Sequence, residues 1–394
     1  MHIFHRMGHL LGGTLLVAGT SIGVGMLALP VATAEGGFFP SIVVYLACWL
    51  FMLATGLLIL EACLWMPDGA NLITLATRLL GKGGQAFCWV VYLFLFTCLM
   101  IAHTAAGGSI VSQISGQTIP LWLGSLIYIA IFSPAVYLGT LWVDRLNLGL
   151  MTGVILTYFL FIFFAAGHVN TSLLTNMNWS KAWIALPIVF TAFGYQSLIP
   201  TLLSYLKRDV KKVRFTIICG TAIPFVIYVI WEFLILGILP LEGTNGLLDA
   251  LQKGKNAVEP LGQFLNIPAV NKVGQAFAFF TMTTSMYGLS IAFMDFLSDG
   301  FKLKKRATKI LPYSIVFILP LIITWIDPEI FLHALNYAGG IGVALLLGAM
   351  PILMVWAGRY YKKHSLAHEQ IPGGKITLCI LMAFVLFELY IQLT

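Results

Sequence analysis

Charged side chains are scarce in this sequence. Asp, Glu, Lys and Arg make up 9% of its 394 residues, whereas hydrophobic residues make up 59% and the mean hydropathy is +0.94. A water-soluble domain has roughly 25% charged residues, so the composition excludes an ordinary soluble protein. It predicts an all-α polytopic membrane protein, with residues 1–394 forming a single transmembrane domain.

Cysteine and histidine are also few, and their placement speaks against metal and redox centres. None of the six Cys residues forms a Cys-x-x-Cys pair, and most fall within apolar segments, as small core residues do. His5 and His9, like His364 and His368, are four residues apart, but they lie in tails or loops and a zinc ion needs more ligands. We therefore expect neither a metal nor an organic cofactor.

The net charge of +7 comes from basic residues in short loops between apolar stretches. This placement is the positive-inside bias of membrane proteins, not the basic face of a nucleic-acid-binding domain. It puts the N-terminus in the cytoplasm and the C-terminus outside, with all but four of the 22 Lys and Arg residues on the cytoplasmic side. A 19-residue window predicts eleven spans, with the approximate limits 8–34, 39–63, 86–113, 121–139, 147–167, 182–205, 214–240, 272–298, 310–326, 330–356 and 376–393. Residues 64–84 are amphipathic and predict a short interfacial helix on the cytoplasmic side.

Two of these spans contain glycine and polar residues where a membrane helix would normally be continuous. The first reads GTSIGVGMLALP, from Gly19 to Pro30, and the second reads FTAFGYQSLIP, from Phe190 to Pro200. A broken helix leaves backbone N–H and C=O groups unpaired, which hydrocarbon penalises by several kcal/mol per group. Paired breaks in corresponding spans are typical of secondary transporters, whose substrate binds between them near the midplane of the membrane.

The first and the sixth span each begin a block of five. Because five is an odd number, the two blocks would have opposite orientations in the membrane, which is the arrangement of an inverted repeat. We therefore expect a first repeat over residues 1–168, a second over 181–357 and an extra C-terminal span over 375–394.

Four segments of the sequence together resemble one family. GTSIGVGMLALP, EACLWMPDGANLITLA, FGYQSLIPTL and MDFLSDG are similar to the tryptophan/tyrosine permeases, the hydroxy and aromatic amino acid permeases of the amino acid/polyamine/organocation superfamily. The resemblance runs over nearly the whole chain and includes the count of eleven spans. It implies the LeuT-like fold, a five-plus-five inverted repeat with broken first and sixth spans and one extra helix. It also implies secondary import of an aromatic amino acid, tyrosine or tryptophan, by proton symport across the bacterial cytoplasmic (inner) membrane.

Backbone groups at the first break suit the charged ends of an amino acid. Gly23, Val24 and Gly25 offer N–H donors and a positive half-helix end to a carboxylate. The carbonyl groups freed near Thr20 and Ser21, and near the second break, can accept hydrogen bonds from an ammonium group. The alternative is that the glycines only permit close helix packing.

The side chains at the second break suit an aromatic substrate. Phe193 or Tyr195 can stack on its ring, and Gln196 can bond a phenol hydroxyl or an indole N–H. His103, deep within a central span, can contact the substrate or carry a proton, although a histidine bonded to a neighbouring carbonyl is an equal alternative. The predicted substrate-binding residues are Thr20, Ser21, Gly23, Val24, Gly25, His103, Phe193, Gly194, Tyr195 and Gln196.

Two sets of residues are candidates for ion coupling. The hydroxyl groups of Thr284 and Ser285, facing the carbonyls of Gly19 and Ile22, would suit a sodium ion, as in the sodium-coupled members of the fold. Sodium symport therefore stays open beside proton symport, as does simple bonding of these hydroxyls to their own helix. Glu232, within the seventh span, is a second candidate for carrying a proton.

Charged residues near the cytoplasmic ends of the spans suggest an inner gate. Asp295 and Asp299 lie four residues apart, on one helical face, and Arg6 lies just before the first span on the same side. An ion pair between Arg6 and either aspartate would close the site from the cytoplasm. The alternative is that these charges are solvated and pair loosely with neighbouring lysines. Glu61 and Asp68 flank the first inner loop and are expected to cap helices.

Two alternatives come from other classes of protein. A membrane-embedded enzyme would need acid, base or metal groups that converge at one membrane face, and a substrate sensor would be expected to carry an appended soluble domain. The sequence predicts neither feature, and it has no nucleotide-binding motif that would indicate a primary pump. We therefore predict that the protein is not an enzyme, that it is a monomer, and that its partners are an aromatic amino acid and the bilayer.

Overall fold

The described part of the chain is all-helical. The computed structural model describes residues 2–301, 310–365 and 368–394, with the side chains of all of these except residues 2–9, 140 and 144. Within these ranges there is no β-strand. Nine described helical stretches are long and apolar enough to cross a membrane, and one of them is Trp179–Tyr205, which is interrupted at residues 193–195. The pair Leu10–Ser21 and Val24–Ala32, which meet at a bend of 51°, counts as a tenth span if taken together. A polytopic all-α membrane protein, as the composition predicts, is thus confirmed.

The described helices support nine or ten of the predicted spans, and the count of eleven stays a prediction. In chain order the helices are α1 (His2–Ser21), α2 (Val24–Ala32), α3 (Phe38–Leu64), α4 (Leu72–Ile114), α5 (Leu121–Leu138), α6 (Thr140–Ala165), α7 (Trp179–Ala182), α8 (Leu186–Ala192), α9 (Ile199–Tyr205), α10 (Val210–Ile238), α11 (Leu247–Gln252), α12 (Val258–Leu265), α13 (Pro268–Gly300), α14 (Ile310–Ile326), α15 (Phe331–Tyr337), α16 (Met350–Trp356) and α17 (Gly374–Leu393). A 3₁₀ turn at Gln196–Leu198 precedes α9, and π-helical turns join α15 and α16 into one long helix, Phe331–Tyr361.

Residues 64–84 differ in part from the prediction of a separate interfacial helix. The helix here begins at Leu72, because the side chain of Asn71 accepts a hydrogen bond from the Thr74 N–H at 2.8 Å and caps its first turn. It then continues into the third predicted span and forms α4, with a kink at Gly81. The φ angle of +79° at Gly81 is one that glycine adopts without steric cost.

The broken helix α2 lies at the centre of the bundle. Every residue from Val24 to Val31 is buried, and α2 packs against α8, α10 and α13. The C-terminal helix α17 is by contrast largely exposed at the surface of the bundle, and only Leu378, Val385 and Glu388 of its residues are buried. Unbroken apolar helices at the periphery therefore shield the broken ones in the interior from lipid, as unpaired backbone groups require.

Charged residues at one end of the bundle tie distant elements together. Glu61, which was expected to cap a helix, instead accepts two hydrogen bonds of 2.7 Å from the guanidinium of Arg359, with both side chains buried. Asp68 accepts a hydrogen bond of 3.1 Å from Arg208. The capping hypothesis was wrong for both residues, because their partners lie about 140 residues or more away in the sequence.

At the start of α10, the Lys212 ammonium donates a hydrogen bond to Asp209 and holds the pKa of that carboxyl below its ordinary value.

Candidate functional site

The first break separates α1 from α2. The N–H of Ile22 still bonds the carbonyl of Ala18, at 3.1 Å, and the N–H of Met26 bonds the carbonyl of Gly23, also at 3.1 Å. Between these two bonds the backbone is extended, with φ −159° and ψ −154° at Gly23. Because α2 begins here, the N–H groups of Val24 and Gly25 have no acceptor within their own helix. They form a positive helix end in the interior of the protein.

The second break separates α8 from α9. Residues 193–195 are not helical, and the N–H of Phe193 closes α8 on the carbonyl of Val189 at 3.2 Å. The N–H of Tyr195 is instead satisfied by the side-chain oxygen of Gln196, at 2.9 Å. Pro200, which has no N–H to donate, falls in the first turn of α9, where no donor is needed. Both predicted breaks are therefore present.

The two broken spans are in direct contact. A Cβ atom placed on Gly25 would lie 3.0 Å from the Cα of Ala192, which ends α8, so glycine is needed for α2 to approach this closely. A Cβ atom on Gly23 would lie 2.7 Å from the hydroxyl oxygen of Ser285 in α13. The glycines of the first break thus permit close packing against both α8 and α13.

Tyr228 joins the two breaks, and the sequence pattern did not point to it. From α10, its hydroxyl lies 2.6 Å from the carbonyl oxygen of Ser21 and 2.9 Å from that of Ala192. These are the last residues of α1 and α8. The ring of Phe193 meets the ring of Tyr228 edge-on, with centroids 5.1 Å apart, and it also contacts Tyr45 at 6.4 Å. No sequence signal separates Tyr228 from the other 13 tyrosines.

The side chains of Tyr195 and Gln196 lie against α3. The hydroxyl of Tyr195 donates to the carbonyl of Met52 at 3.2 Å, and the side-chain amide of Gln196 donates to Thr55 at 3.1 Å. Both residues are buried. Of the three side chains predicted to line the pocket at the second break, only that of Phe193 contacts Tyr228, which in turn bonds the end of α1. Gly194 is partly exposed, and a Cβ atom on it would be in ordinary contact with the carbonyl of Thr191 at 3.5 Å and the side chain of Leu347 at 3.6 Å.

His103 is connected to the first break through Ser285. Its Nδ1 lies 2.7 Å from the carbonyl oxygen of Leu99, and its Nε2 lies 2.9 Å from the Ser285 hydroxyl. A carbonyl can only accept, so Nδ1 carries the proton of the neutral ring and Nε2 accepts from Ser285. His103 thus bonds a carbonyl of its own helix, as one alternative expected, and also the serine that adjoins Gly23; its contact with substrate or a proton stays a prediction.

Three other residues of the predicted sodium site, and the predicted substrate-binding residue Thr20, contact other parts of the protein. The hydroxyl of Thr284 bonds the side-chain oxygen of Asn147 in α6. Thr20 is exposed and bonds the carbonyl of Leu16 within α1, at 2.7 Å. Gly19 faces Met151, and Ile22 packs partly buried against the core.

Glu232 holds the far end of α2 to α3. It lies one helical turn beyond Tyr228 in α10 and is fully buried. Its carboxylate accepts hydrogen bonds from the hydroxyl of Thr33, which follows α2, and from that of Tyr45 in α3 at 2.7 Å. Through these bonds Glu232 connects α10 to α3 and to the residue after α2.

The predicted inner gate is described only in part. Asp295 and Asp299 both lie on α13, four residues apart and exposed, as expected. The side chain of Arg6 lies outside the described residues, as do the lysines at 302 and 304. The hypothesis of an ion pair between Arg6 and either aspartate stays a prediction.

A cavity of about 250 Å³ opens on the face that the charge bias predicts as the outer one. It is lined by Ala105 and Ala106 of α4, by the loop that carries Lys255, and by Glu259 at the start of α12. Glu259 binds Lys255 at 2.6 Å and accepts from the Gln113 side chain at 3.1 Å, which ties the loop to α4.

An all-helical polytopic membrane protein with two discontinuous spans in contact belongs to the structural class that includes many secondary transporters. Comparison with known proteins narrows this class. The family model of the tryptophan/tyrosine permease family matches residues 6–392, and the chain belongs to this family. The family consists of transport proteins, which confirms the prediction that the protein is not an enzyme.

Several characterised relatives cover almost the whole chain. The chain is 29% identical to the tryptophan-specific transport protein of Haemophilus influenzae, over 98% of this chain and 95% of that protein. It is 29% identical to the tyrosine-specific transport system 1 of the same organism, over 95% and 94%. A further relative is glutamine transporter 2 of Aliivibrio fischeri, which is 27% identical over 98% of this chain and 99% of that protein.

Proposed function

We propose that this protein imports an aromatic amino acid, tyrosine or tryptophan, across the bacterial inner membrane by proton symport and alternating access. The observation that carries the proposal is the contact between the two broken helices. The N–H groups of Val24 and Gly25 and the carbonyl ends of α1 and α8 lie together in the buried interior. Membership of the tryptophan/tyrosine permease family, and the names of the relatives, support an aromatic substrate.

In this proposal the two helix ends bind the two charges of the amino acid zwitterion. The substrate carboxylate is held by the N–H groups at the start of α2, where the helix dipole is positive. The substrate ammonium donates to the carbonyls of Ser21 and Ala192, which each have a second lone pair beside the one that faces Tyr228. The aromatic ring packs near Phe193, and His103 and Ser285 lie at the carboxylate side. The other predicted binding residues, Thr20, Gly194, Tyr195 and Gln196, shape the backbone of the breaks.

We propose the LeuT-like architecture for the whole chain. Counting the bent pair as one span and adding the 17-residue helix Ile310–Ile326 to the nine longer helices would give the eleven spans of the prediction. The two broken spans would then begin the two inverted repeats, with the N-terminus in the cytoplasm, the C-terminus outside and a monomer as the working unit.

We favour the proton over sodium as the coupling ion. The sodium hypothesis needs the hydroxyl oxygens of Thr284 and Ser285 to face the carbonyls of Gly19 and Ile22, whereas these hydroxyls bond Asn147 and His103. His103 and Glu232 are the proton-carrying candidates, since both are buried, ionisable and bonded to elements that meet at the breaks.

Uptake by purified protein in liposomes tests both parts of the proposal. Labelled tryptophan or tyrosine should be concentrated when the outside is made acidic, and a protonophore should abolish this. Unlabelled tyrosine, tryptophan, phenylalanine and glutamine, each added in excess, rank the substrates. Protein-free liposomes are the control. Uptake that follows a sodium gradient and ignores the proton gradient would refute proton symport, and an absence of gradient-driven amino acid uptake would refute the proposed function.

A further inference from the structure

The hydroxyl of Tyr228 occupies a special position between the two breaks. It lies within hydrogen-bond distance of the last carbonyl of α1 and of the last carbonyl of α8, at 2.6 and 2.9 Å. The chain leaves the helical path directly after both residues, so neither carbonyl receives the usual N–H from the next turn. Tyr228 therefore gives one buried donor to two acceptors that would otherwise be unpaired.

The electrostatics of this arrangement favour a donor at this point. The C-terminal end of each half-helix has a partial negative charge, and two such ends face each other here. A phenol hydroxyl has a single proton, which both carbonyls share. Removing it would leave two buried acceptors without a partner, which costs more than the loss of an exposed hydrogen bond.

The phenol ring is held as firmly as its hydroxyl. Tyr228 has no exposed surface, and Phe193 of the second break packs edge-on against it at 5.1 Å. On the same helix, the neighbouring carbonyl of Ile227 accepts a hydrogen bond from Tyr158 at 3.2 Å, and Glu232 bonds Thr33 beyond α2. Helix α10 thus contacts both halves of the first broken span and the end of the second.

We propose that Tyr228 is a positioning residue, which aligns the two carbonyls of Ser21 and Ala192 so that their remaining lone pairs meet the ammonium group of the substrate. This inference rests on the proposed function, because it takes the two breaks to be the substrate site. It assigns to Tyr228 an effect on the ammonium end of the amino acid and none on the carboxylate end.

The test compares Tyr228→Phe with Tyr158→Phe in liposomes. Each variant removes one buried phenol hydroxyl that bonds a backbone carbonyl, but only Tyr228 bonds the ends of broken helices. Tyr228→Phe is expected to raise the KM for tryptophan about tenfold, as the loss of a hydrogen bond to buried acceptors predicts. Tyr158→Phe is expected to keep a KM within about twofold of the wild type. Both variants should insert, and Tyr228→Phe should melt at a lower temperature than the wild type, because two buried acceptors lose their donor.

Two inhibitors separate positioning from general damage. Tryptamine has the ammonium group but no carboxylate, and 3-indolepropionate has the carboxylate but no ammonium. In Tyr228→Phe, inhibition of uptake by tryptamine should weaken about as much as the KM rises, while inhibition by 3-indolepropionate should stay as in the wild type. Equal weakening of both inhibitors, or a KM like that of Tyr158→Phe, would overturn the inference.

A second variant keeps the inference testable if Tyr228→Phe does not fold. Tyr228→His retains a ring with an N–H donor, and it should bind tryptamine more tightly than Tyr228→Leu. No difference between these two variants would count against the alignment of the carbonyls. If the wild-type protein itself takes up no aromatic amino acid, the proposed function fails instead, and the two failures are thereby distinguished.

Discussion

Replacing Glu61 by Gln is expected to destabilise the fold more than most single polar substitutions. Glu61 and Arg359 are 0% and 2% exposed, and two hydrogen bonds of 2.7 Å join them in a bidentate pair. Glu61 also accepts the N–H of Gln370 at 2.9 Å, which fixes the loop after α16. The substitution leaves a buried guanidinium facing a neutral amide.

The structure allows the size of this loss to be worked out. Removing one partner of a buried ion pair costs about 3–5 kcal/mol, because the remaining charge stays buried without compensation. Arg359 keeps two other partners, the Glu369 carboxylate at 2.8 Å, whose side chain is 33% exposed, and the carbonyl of Ile371 at 3.3 Å. A partly solvated carboxylate compensates only in part, so we expect a loss near the lower limit, about 3 kcal/mol.

Unfolding of the purified protein by SDS in mixed micelles measures the loss as a free energy. The double variant Glu61→Gln/Arg359→Met removes both charges and should lose clearly less than the sum of the two single variants. Glu35 provides the control: it pairs with Lys181 at 3.6 Å, both side chains are 35% or more exposed, and Glu35→Gln should cost about 1 kcal/mol or less. If Glu61→Gln cost no more than Glu35→Gln, the reasoning about burial would be refuted.

Three further substitutions follow from the structure. Gly25→Val should abolish uptake while the protein still inserts, because the valine side chain would push α2 away from α8. Gly149 has open space around it, so Gly149→Val is the control. Normal uptake by Gly25→Val would reject the assignment of Gly25 to the site. Glu388→Gln should leave SDS resistance unchanged or raise it, since neither oxygen of this buried carboxyl has a hydrogen-bond partner among the described residues, and a clear loss of resistance would contradict this. Asp209→Ala should cost about 1 kcal/mol as a lost helix cap. Because the pKa of Asp209 is lower in the folded state, its contribution to stability is present above about pH 4 and is lost as the pH falls through that lowered pKa. The free energies of SDS unfolding of Asp209→Ala and the wild type should therefore differ at pH 7 and become equal in acid.

Much of the architecture could be predicted from local patterns. Long apolar stretches predicted the membrane helices, and the glycine-rich interruptions at residues 19–30 and 190–200 predicted the two breaks. Both signals act within one helix length, because a span must satisfy its own backbone in lipid and glycine or proline weakens that pairing at a defined residue.

The partners of these breaks could not be predicted in the same way. Tyr228 is 207 residues from Ser21 and 36 from Ala192, and Arg359 is 298 residues from Glu61. Whether Tyr228 faces the breaks depends on the rotation of α10 about its axis, and packing against the neighbouring helices sets this rotation. Packing between helices likewise directs the side chains of Tyr195 and Gln196 toward α3.

By itself, then, the amino-acid sequence determined which segments cross the membrane and where two of them must interrupt their hydrogen bonding, since hydrocarbon imposes these rules on each segment separately. The tertiary structure alone decided that the two interruptions meet, that one phenol hydroxyl serves both, and that a buried guanidinium neutralises Glu61. Those outcomes depend on contacts between helices that are far apart in the chain, where shape and charge are matched only after the bundle has assembled.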